Sequence, residues 1–219
     1  MKKFFLLVFC ISFSVVFSQD TTNFRTQSTG DLLTSGFWIP ASSINKNIKG
    51  SNYLFEKWEN FANIYSDNGN VFRITNLNYN IKSKKLEAKI SNDSVFQFNT
   101  EGISKVRIMN STFKLIDSEF MKELMTGKVG LYIKYSLKTK DAVFNPLTHD
   151  ELTPEEIIKV ENYLIQVEGK SFDIKLKKGD ILKFLKDKEK EVKDFVKRNK
   201  LSFSNEKDVV KILGYYNSL

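Results

Sequence analysis

Between Asn52 and Ile116 short runs of alternating apolar and polar residues recur at intervals of about ten residues, the spacing of consecutive strands and turns. Each run is closed by a turn signal: Ser66-Asp67-Asn68-Gly69-Asn70, Lys82-Ser83-Lys84-Lys85, Ser91-Asn92-Asp93-Ser94 and Asn110-Ser111. A period of two buries one face of a strand and wets the other, so this stretch predicts an antiparallel meander. Asn68-Gly69 is the strongest turn, because both residues accept the positive φ that a two-residue hairpin loop requires. Val71, Ile74, Leu77, Tyr79 and Ile81 read as one long strand. Shorter strands follow at Leu86–Ile90, Val95–Phe98, Val106–Ile108 and Phe113–Leu115. Val129 to Leu137 is the cleanest alternation in the chain, and a later hairpin joins Tyr163–Val167 to Phe172–Leu176 across Glu168-Gly169-Lys170-Ser171.

Other segments carry helical signals. Ser118 to Met125 reads as one or two helical turns stopped by Gly127. Thr153-Pro154-Glu155-Glu156 reads as the start of a short helix, with Thr at the cap, Pro at the first position and Glu three residues after the cap. From Asp180 the apolar period becomes that of a helix, through Ile181, Phe184 and Leu185 and then Val192, Phe195 and Val196. Asp187 is the expected cap of the second of these helices and Asn199 its stop. Asn205 opens a last helix with Val209, Val210, Ile212, Leu213, Tyr215 and Tyr216 on its apolar side. The expected fold is therefore α+β: an antiparallel, curled or barrel-like β-sheet meander with C-terminal helices packed against it.

The first residues differ in kind. Lys2 and Lys3 precede an apolar run from Phe4 to Phe17, and small residues Val16 and Ser18 precede Gln19, the pattern of a signal peptide over residues 1–18. Fourteen residues, all apolar but Ser12 and Ser14, at about 1.5 Å each are too few to span roughly 30 Å of hydrocarbon. Cys10 lies mid-run after Val8-Phe9, where lipidation would demand small residues. Cleavage removes this one cysteine, so the exported chain has no disulfide, thiolate nucleophile or Cys-ligated metal. Residues 19–49, rich in Thr, Ser, Asn and Gly, read as an extended, partly ordered segment that lays Trp38 against the body. Residues 50–219 read as one α+β domain, β-rich over 50–176 and helical over 180–217.

Charge concentrates late in the chain. Residues 175–211 hold thirteen basic and seven acidic residues, which accounts for the whole excess of 32 basic over 26 acidic residues after cleavage. Lys190, Lys193 and Lys197 fall between the apolar positions of their helix and are expected to point outward. Two readings follow, a solvated face or a contact with an anionic envelope component or protein partner. Trp38 and Trp58 are the alternative contact residues. The aromatic cluster Tyr53, Phe55, Trp58 and Phe61 reads either as a platform for a ligand or as strand core with Trp58 closing an end of the sheet.

Recognised chemistries are absent from the sequence. His149, the one histidine, stands beside Asp150 in a polar excursion and lacks a locally placed nucleophile. Paired carboxylates such as Glu155-Glu156 are explained by helix capping. No Gly-rich phosphate loop and no metal-ligand spacing is present, so no cofactor and no metal is expected. The basic tail lacks interleaved aromatics, which argues against nucleic acid. A transmembrane span is not expected after cleavage. The expected function is that of a non-enzymatic interaction or structural protein. A carrier of small hydrophobic ligands inside the curled sheet and a hydrolase with a site near His149 are the alternatives.

Tyr53-Leu54-Phe55, Trp58, Asn68-Gly69, Phe96, Phe98 and the terminal Asp208-Val209-Val210-Lys211 through Tyr215-Tyr216-Asn217-Ser218-Leu219 resemble uncharacterised exported proteins of Bacteroidetes-type Gram-negative bacteria. The resemblance covers about residues 50 to 219 and implies an envelope location and a shared fold. It carries no activity and no site residue.

Overall fold

A computed structural model describes residues 36–40, 48–91 and 94–219; residues 1–18 lie outside the described residues. The alternating segments form β1 (Gly36–Pro40), β2 (Ile48–Lys49), β3 (Phe61–Ser66), β4 (Val71–Thr75), β5 (Leu77–Asn80), β6 (Lys85–Lys89), β7 (Ser94–Phe98) and β8 (Ile103–Ile108). They continue as β9 (Ser111–Ile116), β10 (Glu119–Met125), β11 (Val129–Lys140), β12 (Val143–Phe144), β13 (Glu151–Thr153), β14 (Glu155–Val167) and β15 (Lys170–Ile174). Helices follow: α1 (Lys178–Leu182), a 3-10 turn (Lys186–Lys188), α2 (Glu189–Arg198) and α3 (Glu206–Asn217).

Two sheets dominate. A four-stranded sheet runs β1-β7-β6-β5, and a nine-stranded sheet runs β15-β14-β11-β10-β9-β8-β3-β4 with β2 alongside β14. The β2–β14 pair is parallel; the other strand pairs among the described residues are antiparallel, as consecutive hairpins require. The larger sheet stays open, with β15 and β4 at its ends, so of the expected curled or barrel-like forms a closed barrel is excluded.

Cross-strand partners share a face. The registers Phe113↔Lys122 and Lys122↔Ile133 therefore put Phe113 and the odd-numbered residues of β11 on one side of the large sheet. On that side Ile64, Phe72, Ile74, Val106 and Phe113 are buried in one cluster with Leu77, Leu86, Phe96 and Phe98 of the small sheet. A second cluster joins Val129, Leu131 and Ile165 to Ile181, Leu185, Val192, Val209, Ile212 and Leu213. Asn217 adds a polar anchor at the end of α3: its Oδ1 accepts from the Val129 N–H at 2.9 Å and its Nδ2 donates to the Val129 carbonyl at 2.9 Å.

Several local expectations are corrected. Thr153-Pro154-Glu155-Glu156 is extended, because β14 pairs with β11 residue for residue from Val167↔Val129 to Glu156↔Lys140. Ile157, Ile158 and Val160 are β-branched and favour that ladder, and Pro154 falls between β13 and β14, where no ladder N–H is spent. The segment 118–125 is strand β10 between β9 and β11, where pairing on both sides overrides a weak helical pattern. The expected long strand from Val71 to Ile81 breaks at Asn76, whose φ of 56° turns the chain from the large sheet into the small one. Asn60 holds that crossover, donating from Nδ2 to the Leu77 carbonyl at 2.8 Å and accepting from the Leu77 N–H at 3.2 Å. The Asn68-Gly69 hairpin forms, but only Gly69 takes positive φ, at 85°. Asp187 does not cap α2: Lys188 holds that position, without a side-chain hydrogen bond. Asn205 does cap α3, accepting from the Asp208 N–H at 3.1 Å.

Candidate functional site

The face of β4-β3-β8-β9 turned away from the small sheet is the surface with the strongest unspent chemistry. Pairing sets Arg73 opposite Asn63 and Asn63 opposite Arg107, so two guanidinium groups flank one amide across three neighbouring strands. Tyr65, Lys105 and Lys114 form the next row, with the Lys105 Nζ 4.7 Å from the centre of the Tyr65 ring. None of these four strands contains an acidic residue. The side chains of Arg73 and Arg107 form no ion pair or hydrogen bond among the described residues.

A surface like this is dictated by the strand period. In Val71-Phe72-Arg73-Ile74 and in Val106-Arg107-Ile108 the apolar neighbours go into the core, so the arginines face outward. At the end of the rows Phe61 is 72% exposed and Met109 lies open beside it. Phe61, Asn63, Arg73, Arg107, Met109 and Asn110 line a shallow cleft of about 680 Å³, together with Glu59, which pairs with neither arginine. Guanidinium donors are planar forks matched to carboxylate and phosphate, and they keep their charge at all accessible pH. The chemistry available here is recognition of an anion with an apolar body beside it.

A second feature projects from the sheet. β11 and β14 run on as a ribbon, and β12 and β13 pair beyond them to close an arm over residues 141–156. Val143, Phe144, Leu147 and Leu152 are exposed on it, Leu147 at 89%. The arm holds Asp141, Asp150, Glu151, Glu155 and Glu156 and no lysine or arginine. Of these five, Glu156 pairs with Lys49 at 3.2 Å. His149 sits in the arm's exposed loop with φ of 59°, its backbone N–H donating to the Asn145 carbonyl at 2.9 Å. Its imidazole makes no hydrogen bond among the described residues, so no nucleophile or orienting group is brought to it.

A smaller cleft, of about 410 Å³, opens beside the strap of residues 51–60 and is lined by Phe55, Phe113, Lys122, Tyr135, Lys159 and Glu161 among others. Burial, and then the charges of Glu161 and Glu206, push the Tyr135 phenol well above its ordinary value. Lys159 donates to the Leu54 carbonyl at 3.1 Å. Phe72, Phe96, Phe98 and Phe113 pack between the two sheets.

No family model, no curated protein and no solved structure matches the chain.

The residues singled out from sequence are scattered. Lys190, Lys193 and Lys197 are exposed on α2, and Lys193 is paired with Glu189 one turn away. Neighbouring lysines of the tail are paired in the same way, Lys183 with Asp180 and Lys188 with Glu191. Trp38 is 60% exposed on β1, edge-on to Phe96 at 5.2 Å. Trp58 is half-buried, edge-on to Tyr53 at 4.6 Å. The structure does not bring these five into one site. Among the described residues no group of His, Cys, Asp and Glu is arranged to hold a metal ion, and no helix is long and apolar enough to cross a membrane.

Sequence reading missed Arg73 and Arg107, although their place between apolar alternating neighbours marks them as outward-facing. It also missed Glu87, which is fully buried. Its carboxylate accepts from the Tyr53 hydroxyl at 2.6 Å, Gln97 at 3.0 Å, Asn80 at 3.1 Å and Ser83 at 3.4 Å. No local signal distinguishes this glutamate from a surface one.

Proposed function

We propose that this chain is an exported, non-enzymatic binding protein of the cell envelope that recognises an anionic partner through the open face of β4-β3-β8-β9. The observation that carries the reading is the Arg73-Asn63-Arg107 row. Two arginines without acidic partners stand in register on strands that lack carboxylates altogether. A guanidinium left in water beside exposed Phe61 and Met109 gains little within its own fold, whereas a carboxylate or phosphate ligand would gain paired, charge-assisted hydrogen bonds. The tail lysines are a weaker candidate, because several of their charges are already met by acids one turn away on the same helices. The C-terminal helices are read as cover for the β15-β14-β11 end of the sheet, supported by the cluster they share with Val129, Leu131 and Ile165. Export rests on the leader-like residues 1–18, and with it the place in the envelope.

The test is retention on immobilised polyglutamate. Retention should be strong at low salt and lost at about 1 M salt, where the screening length falls to about 3 Å. Arg73→Gln with Arg107→Gln should release the protein at lower salt, while Lys190→Glu with Lys193→Glu and Lys197→Glu should leave most retention in place. The reverse ranking would move the contact surface to α2. Retention that survives high salt and both variants would overturn an electrostatic contact.

A further inference from the structure

We propose that the anionic partner of the arginine face is the acidic arm of a second copy of this chain, which makes the protein a head-to-tail self-assembling one. The inference rests on the reading of that face as an anion-binding surface and goes on to name its occupant.

Two surfaces of one molecule complement each other in charge and in apolarity. The face carries Arg73, Lys105, Arg107 and Lys114 with no carboxylate on its strands, together with exposed Phe61, Val71 and Met109. The arm over residues 141–156 has five carboxylates and no lysine or arginine, and Val143, Phe144, Leu147 and Leu152 are exposed among them. Asp141, Asp150, Glu151 and Glu155 form no ion pair among the described residues. Exposed large apolar side chains collected at the tip of a projecting ribbon mark a contact surface, and charge complementarity sets partner choice and orientation in such contacts.

Geometry favours a second copy over the molecule's own arm. The arm springs from β11 and β14, whereas the face lies on β9, β8, β3 and β4, with β10 between the two groups in the sheet. Both surfaces are exposed in the same molecule, so the arm is not folded onto its own face. An arm from one copy on the face of the next leaves a free arm and a free face at the two ends. Contacts of that kind repeat, closing as a ring or continuing as a filament.

Sedimentation velocity of the exported chain over a range of concentration tests this. At low salt the wild type should form species larger than a monomer, which dissolve at high salt. A face variant, Arg73→Gln with Arg107→Gln, and an arm variant, Asp150→Asn with Glu151→Gln, should each weaken self-association by about tenfold, the scale of losing two exposed ion pairs. Mixed together, the two variants should form a one-to-one dimer and nothing larger, because the intact arm of one meets the intact face of the other. Recovery in the mixture also shows that both variants are folded. A wild type that stays monomeric at low salt overturns the proposal, as does assembly unchanged in both variants. If that monomer is still retained on polyglutamate through its arginines, self-assembly fails and the anion-binding reading stands; if retention is lost as well, both fail.

Discussion

Replacing Glu87 by alanine should destabilise the protein by about 3 kcal/mol, because it strands polar donors that water reaches poorly. Glu87 is fully buried, with no cation within ion-pair distance among the described residues. Four neutral groups satisfy it instead, from Tyr53, Gln97, Asn80 and Ser83, at 2.6 to 3.4 Å. Ser83 is exposed and can turn to water at little cost. Tyr53, Asn80 and Gln97 are half-buried, so each stranded donor takes the low end of the usual penalty, about 1 kcal/mol. For a chain of this size the sum corresponds to a melting temperature lower by about 6–12 °C. Burial, followed by the hydrogen bond to Glu87 and its charge, holds the Tyr53 phenol far above its ordinary value. Urea unfolding of Glu87→Ala, Tyr53→Phe and the double variant supplies the assay. Tyr53→Phe should cost about 1.5–3 kcal/mol in the wild type, as a bond to a charged acceptor does. It should cost much less once Glu87 is gone. A Glu87→Ala midpoint within about 0.5 kcal/mol of wild type, the range of ordinary surface changes, would refute the reasoning. So would strict additivity in the cycle.

Three further outcomes are expected. Burial draws the Glu119 carboxyl upward, but hydrogen bonds from Lys84 at 2.6 Å and Lys134 at 3.2 Å outweigh it and hold the group below its ordinary value. Its contribution is therefore present above the unfolded carboxylate pKa and lost as pH falls through the lower folded one. Lys84→Met with Lys134→Met should flatten the drop in urea midpoint between pH 6 and pH 3, and an unchanged drop would show that the cluster contributes nothing. Phe195 is half-buried and stacked on Tyr215 at 4.1 Å and 6°. Phe195→Ala should thus cost about 1–2 kcal/mol by thermal melting, not the 3–5 of a fully buried ring; a loss in the larger range would mean a more enclosed site. Mass spectrometry of the exported protein should give an N-terminus at Gln19, and recovery of intact Met1 in membranes would count against export.

Local chemistry was legible in the sequence wherever one turn decides the structure. Gly69 and the Glu168-Gly169 turn each close a hairpin between neighbours in sequence, the hairpin expected across Asn110-Ser111 turns one residue earlier, at Met109-Asn110, and Asn205 starts α3 because its own side chain reaches the Asp208 N–H. These signals act over three or four residues, and no tertiary partner is needed to read them. Alternation likewise named the buried sides of β8, β9 and β11. Tertiary structure decided what depends on strands far apart in the chain. Thr153-Pro154-Glu155-Glu156 carries a sound capping pattern, yet pairing with β11 outweighs the roughly 0.5–2 kcal/mol that a cap supplies. Asn76 breaks an apparently continuous strand because each half finds a different sheet. Glu87 is buried because Tyr53, 34 positions away, brings it a hydroxyl. Arg73, Asn63 and Arg107 form a row only once β4, β3 and β8 pair in register, and a slip of one residue would send them to the other face. The period of a strand says which side a residue takes, and the register of its neighbours says whom it meets there.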